Sequence, residues 1–265
     1  MSGGADRMLT RVFFSSGRVL DGGIRATRGA VDGFWLGLLG PRQVARIDET
    51  YFEHQRMYLD EGYNRQGLWA WERAAIDTFF ADASRLAVTG AGAGREVLAL
   101  LELGHDAVGY ECNEMLAEFG NDLTIASGYG LRIHAAERDK WPAPAVGFDG
   151  AVIGWGSYMH IAGRRRRVKF LADARSALPD GAPILLSFFA RRGTSVRFRA
   201  VLRVGNSFRR LRGRDVLEAG DALAPLYAHF FTKDEVAGEL DEAGFELVQY
   251  ATEPYAHVVG RARGR

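Results

Sequence analysis

An apolar stretch, residues 85–89, runs straight into three glycines at alternate positions, Gly90, Gly92 and Gly94, and then into the helix-forming segment Arg95-Glu-Val-Leu-Ala-Leu-Leu. A short strand that turns at once into a helix through glycines leaves few folds open. Gly90 can take a backbone angle barred to other residues, Gly92 lets a ligand press on the main chain, and Gly94 lets the helix pack closely on a sheet. The helix N-terminus then offers unpaired N–H groups to a polar or anionic ligand. About 20 residues further on, Val108-Gly-Tyr-Glu111 ends a second apolar run with an acid, where a carboxylate would accept both hydroxyls of a ribose. The dinucleotide pattern G-x-G-x-x-G/A wants a small residue at its sixth position. Here that position is Arg95, so the nicotinamide reading is disfavoured.

The pattern downstream alternates. Strands are predicted at 85–89, 107–111, 131–135, 150–154 and 183–189, and helices at 93–103, 114–125 and 164–178. Such alternation implies parallel pairing, right-handed crossovers and helices on both faces of a doubly wound α/β sheet. Residues 190–229 interrupt the rhythm with an insertion that carries nine arginines. Thr232 with Glu235 reads as a capping box that opens a helix to about Ala243, and 245–251 and 255–260 read as a late strand pair. Ahead of the sheet, residues 41–82 show near-helical apolar spacing. Residues 1–40 carry many glycines, lack clean periodicity and read as a loosely ordered arm, with the basic, acid-poor look of a transit peptide or membrane-surface helix as the other readings. The division expected is therefore an N-terminal arm and helical cap, 1–82, and a catalytic domain, 83–265, with 190–229 inserted over the acceptor site.

Hydrophobic residues at 47% and charged residues at 25% provide for a core of ordinary size, and a formal charge of +1 selects no polyanionic partner, so nucleic acid is not expected. The single cysteine, Cys112, excludes an internal disulfide and a cysteine metal cage, and points to a reducing, cytoplasmic setting. No transmembrane segment is expected, because the longest apolar runs are far too short to span a bilayer. No metal ligand set is assigned.

The segments Val88-Thr-Gly-Ala-Gly-Ala-Gly-Arg-Glu, Gly109-Tyr-Glu-Cys-Asn, Phe148-Asp-Gly-Ala-Val-Ile-Gly-Trp-Gly and Phe231-Thr-Lys-Asp-Glu-Val resemble the class I, Rossmann-like S-adenosylmethionine-dependent methyltransferases. The likeness spans roughly Trp69 to Val259. It departs at Val88, where many members carry an acid. The resemblance implies a seven-stranded, mostly parallel sheet with an antiparallel last strand, and N-terminal helices and an insertion forming a lid. S-adenosyl-L-methionine would be the cofactor and S-adenosyl-L-homocysteine its product. It would place Thr89, Gly90, Ala91 and Gly92 at the methionine end, with Gly94 supporting the bend, and Glu111 at the ribose. Cys112 and Asn113 would lie beside the adenine, and Glu137 at its amino group.

The turn after the fourth strand reads Gly154-Trp-Gly-Ser-Tyr-Met-His160 and would face the transferred methyl. It lacks the Asn/Asp-Pro-Pro-aromatic signature of amide- and adenine-directed enzymes. Gly154 and Trp155 are assigned to the cofactor side. Tyr158, His229 and Tyr63 are assigned to the acceptor, and His160 is the candidate general base for a hydroxyl. Asp149, at the opposite end of its strand, reads as structural. The activity expected is methyl transfer to a small molecule, first to oxygen of a sugar, glycan or natural product, the arginines suiting an anionic group on it. Nitrogen- or carbon-directed transfer, an NAD-dependent oxidoreductase and a non-catalytic S-adenosylmethionine-binding protein are the other readings.

Overall fold

The computed structural model describes residues 3–142 and 147–265; the side chains of residues 3–7 and 53 lie outside the description. The helices are α1 (Gly3–Leu38), α2 (Pro41–His54), α3 (Glu61–Asn64), α4 (Ala70–Phe79), α5 (Arg95–Glu102), α6 (Glu114–Ala126), α7 (Arg164–Ala177), α8 (Val196–Leu211) and α9 (Lys233–Glu242). The strands are β1 (Arg85–Thr89), β2 (Asp106–Glu111), β3 (Ile133–Ala135), β4 (Gly150–Ile153), β5 (Pro183–Ser187), β6 (Phe189–Ala190), β7 (Asp221–Leu223), β8 (Tyr227–Phe231), β9 (Phe245–Ala251) and β10 (His257–Ala262).

Seven strands form one sheet in the order β3-β2-β1-β4-β5-β10-β9. β1 lies between β2 and β4 and runs parallel to both, with Val88 opposite Gly109 and Val152. β10 runs antiparallel to β5 and β9, so the late strand pair has the direction expected of it. Alternate side chains feed two separate cores. Leu86, Val88, Val152, Leu185 and Val259 join α4 and α5 residues such as Ile76, Val97 and Leu100 on one face. Ala87, Ile153, Leu186 and Val258 join Leu171 of α7 and Leu240 of α9 on the other. A strand buried on both faces must be apolar at every position, which is why β1, β4 and β5 read as continuous hydrophobic runs. Asp149 holds the strand entrance: its Oδ2 accepts from the Ser84 and Arg85 N–H groups at 3.1 and 2.9 Å. Thr232 and Glu235 cap α9 reciprocally.

The chain divides into two compact units. The larger contains Ala45–Arg191 and Ala228–Arg265, hence the whole sheet; residues 45–82 belong to it. The smaller joins the chain up to Val44 with Arg192–Tyr227, where α1 packs on α8.

Here the structure corrects the reading of residues 1–40 as a loose arm: residues 3–38 are one helix. The glycines that broke its apparent periodicity make its packing surface. Gly29, Gly33 and Gly37, one per turn, lie so close to α8 that a Cβ would stand 2.2 Å from the Arg197 carbonyl oxygen, 2.7 Å from that of Val201 and 2.8 Å from Phe208 Cβ. Arginines of α8 and its C-terminal turn secure the same contact. Arg209 and Arg214 donate to the Leu36 and Leu38 carbonyls, which the end of α1 leaves without helical partners. Arg197 pairs with the buried Asp32 at 2.7 Å.

Candidate active site

The C-terminal edge of β1, β2 and β4 carries Thr89 and the glycine bend, Glu111 with Cys112 and Asn113, and Gly154 with Trp155. Gly90, Gly92 and Gly94 all have positive φ, at 63°, 53° and 89°. Their neighbours distinguish their duties. A Cβ on Gly94 would meet Ile133 Cδ1 at 2.8 Å, and one on Gly90 would meet Ser157 Oγ at 2.4 Å, so both serve close packing. Gly92 has nothing within 4 Å in that direction, so the space over the bend is open. Gly154 abuts the bend from β4, where a side chain would stand 2.1 Å from the Gly90 carbonyl oxygen. Ala91 ties the bend to β2 by donating to the Tyr110 carbonyl at 3.1 Å.

Glu111, at the end of β2, reaches back across the crevice. Its Oε2 accepts from the Gly92 N–H at 2.7 Å and its Oε1 from the Asn113 N–H at 2.8 Å. A carboxylate offers about four lone-pair sites, so acceptor capacity remains for two hydroxyls. Thr89 Oγ1, buried at the mouth of the bend, has no hydrogen-bond partner among the described residues. A buried hydroxyl without a partner is unfavourable by itself and suits a polar ligand group. An open glycine bend, a spare carboxylate and an unsatisfied hydroxyl together fit an adenosyl amino-acid ligand. Asn113 has a further duty as N-cap of α6, its Oδ1 accepting from Leu116 N–H at 3.2 Å. Crowding of the sulfur by the protein and the neighbouring Glu111 carboxylate both push the Cys112 thiol up, although the residue itself is exposed. Glu137 points outward, its side chain 75% exposed and paired with Lys140.

Below the bend lies a charge cluster that only the fold assembles. Arg95 is 3% exposed and forms a two-pronged pair with Glu72 of α4, both bonds at 2.7 Å; a third bond of 2.7 Å goes to Glu96. Burial works against the Arg95 charge, but the two carboxylates more than offset it and hold the guanidinium firmly protonated. Desolvation with Glu96 nearby holds Glu72 above the usual carboxylate range despite the Arg95 bonds. Glu96 Oε1 also accepts from the Trp155 N–H at 3.0 Å and so fixes the turn after β4. Tyr63, half-buried in α3, feels the charges of Arg95, Glu96 and Glu72, and Tyr58 lies 5.8 Å from it ring to ring. Tyr58 is pushed up to about 12, chiefly by burial, and remains a hydrogen-bond donor at neutral pH. Tyr255, which the sequence reading did not single out, sets its ring 5.2 Å from Trp155. These aromatic rings wall the region beside the bend.

Two assignments to the acceptor pocket are corrected. Tyr158 is fully buried. Its hydroxyl donates to Glu239 Oε2 at 2.6 Å, and Glu239 also pairs with the fully buried Arg167 at 2.7 Å. It stacks on Phe231 with centroids 5.4 Å apart and belongs to the core. His229 is likewise 1% exposed, edge-on to Phe231 at 4.5 Å, on a stretch of β8 where Tyr227 and Ala228 are buried as well. Arginines 191, 197, 209 and 214, read as suited to an anionic acceptor, instead bind carbonyls and acids of the protein.

His160 closes the 3-10 turn Ser157–His160 after β4 and is half-buried. Asp48 of α2 and Asp139 lie within its electrostatic reach. Asp48 is 3% exposed and pairs with Arg138, yet its Oδ1 has no hydrogen-bond partner. Burial outweighs the nearby cations and raises both aspartates.

The strand order, the antiparallel β10 and the glycine bend between β1 and α5 define the fold of the class I S-adenosylmethionine-dependent methyltransferases. Solved structures share it. One is an S-adenosylmethionine-dependent methyltransferase of Methanosarcina mazei, with a TM-score of 0.56 and 17% identity over 75% of this chain and 100% of that one. A second is the 1,6-didemethyltoxoflavin N1-methyltransferase of Burkholderia thailandensis, solved with its substrate and S-adenosylhomocysteine. It has a TM-score of 0.58 and 20% identity over 86% of this chain and 92% of its own. A sugar N-methyltransferase of Streptoalloteichus aligns with a TM-score of 0.53 and 15% identity over 82% and 93%. No protein-family model matches the sequence, and no curated protein sequence does.

Proposed function

We propose that this protein transfers the methyl group of S-adenosyl-L-methionine to a small-molecule acceptor, at a hydroxyl oxygen. The observation that carries the reading is the crevice at Gly92: an open bend, bridged by Glu111 and bordered by the unpartnered Thr89 hydroxyl. The fold supports it, and neighbours that act on a toxoflavin precursor and on a sugar favour a small acceptor.

When bound, the cofactor supplies a sulfonium methyl whose departure from sulfur needs no acid. The protein's task is alignment and exclusion of water. Glu111 would accept from the ribose hydroxyls. The Thr89 hydroxyl and the N–H groups of the bend would hold the amino-acid end. Trp155, fixed by Glu96, and the Tyr58–Tyr63 pair would wall off solvent. His160 would remove the acceptor proton at a ring nitrogen, and Asp48 and Asp139 would stabilise the resulting imidazolium.

Titration calorimetry tests the assignment. The protein should bind S-adenosyl-L-homocysteine and not NAD, and Glu111→Ala should weaken that binding by about tenfold or more, from the loss of charge-assisted hydrogen bonds. Binding of NAD in its place would overturn the reading, and binding without turnover on any sugar, phenol or amine would leave a cofactor-binding protein.

A further inference from the structure

The smaller unit has two properties that the proposed chemistry does not use. The first is an apolar helix face that no described residue covers. α1 has 36 residues and therefore runs about 54 Å, whereas α8 at 16 residues covers about 24 Å. Its close contact with α8 starts at Gly29. The preceding turns expose Leu9, Val12, Phe13, Val19, Leu20 and Ile24, each between 54% and 76% exposed. At 100° per residue these six fall within an arc of about 140°, while Arg11, Arg18 and Arg25, seven residues apart, line the opposite side. Of the other bulky apolar side chains of this stretch, Met8 lies about 20° outside the arc and Phe14 on the arginine side. Gly17, Gly22 and Gly23 lie in the same stretch with open space around them, and each weakens a helix relative to alanine. A lone amphipathic helix of this composition gains its stability from whatever covers its apolar face.

The second property is charge. Residues 1–44 and 192–227 hold 14 arginines, no lysine and six acids, a formal +8; the remainder of the chain is −7, so the total of +1 conceals a strong division. A second copy seated on α1 would bring two +8 units together, and an apolar arc of about 140° is far wider than the narrow seam of a helix pair. An interface that is apolar below and anionic above satisfies both properties.

We propose that the α1 face of this unit lies in the surface of an anionic lipid bilayer, as a peripheral rather than a spanning attachment. No helix among the described residues is long and apolar enough to cross a membrane. Flotation of the full chain with vesicles tests the proposal. The protein should float with phosphatidylcholine vesicles containing one-third phosphatidylglycerol and far less with pure phosphatidylcholine, and added salt should release it. Phe13→Glu with Leu20→Glu should abolish flotation. Arg11→Gln, Arg18→Gln and Arg25→Gln should each weaken it about fivefold. Circular dichroism of each variant verifies that the fold persists. Failure to float with either vesicle, or equal flotation with both, would overturn the proposal. So would a dimer in sedimentation that Phe13→Glu with Leu20→Glu converts to monomer, because the face would then belong to a second copy.

Discussion

Glu111 uses both carboxylate oxygens to tie the ends of β1 and β2 together and still has lone pairs to offer a ligand. His160 has the opposite character: its surroundings are two raised aspartates and an arginine contributed by distant segments. If it serves as the base for a hydroxyl, His160→Ala should lower turnover by roughly 10²–10⁴-fold with S-adenosyl-L-homocysteine affinity unchanged by calorimetry. Unchanged turnover would remove it from the mechanism and favour an amine acceptor, which needs no such base. Cys112 provides a test of the local field by pH. Glu111 and the crowding around the sulfur push its thiol up, so its thiolate forms less readily than that of a free cysteine. Alkylation by iodoacetamide at pH 8 should be slower than for a free cysteine and should climb as the pH rises. A rate near that of free cysteine would show that Glu111 and desolvation do not act on it.

At the scale of elements, the glycines divide into those that make contacts and those that do not. Gly29→Ala places a Cβ 2.2 Å from the Arg197 carbonyl and should separate α1 from α8, with a net loss of about 1–3 kcal/mol in denaturant unfolding. Gly17→Ala, with nothing within 4 Å, should instead stabilise the helix by up to about 1 kcal/mol. Equal effects of the two would contradict the packing of α1 on α8. The same contrast explains why α1 was not legible. Periodicity analysis treats glycine as a break, and here one glycine per turn is the surface that fits the partner helix. The sheet elements were legible within a few residues, because strand alternation, the capping box at Thr232 and the glycine bend are local signals. The predicted strand 255–260 is observed at 257–262.

Across the whole molecule, charge and burial redistribute what composition averages away. A chain of net charge +1 separates into units of +8 and −7. The run Arg164–Arg167, basic throughout on paper, sends Arg167 into the core to Glu239, 72 residues on, and Arg95 finds Glu72 across 23. The sequence alone determined the alternating architecture, the bend at 90–94 and the acid at 111, since each depends on residues adjacent in the chain whose conformations are restricted locally. Tertiary structure decided which of the other candidates are buried and which stay accessible. Tyr158 and His229 became core, Tyr255 joined the aromatic wall, and Asp48 came to lie near His160. Burial, unlike backbone preference, is settled by partners that lie far away along the chain.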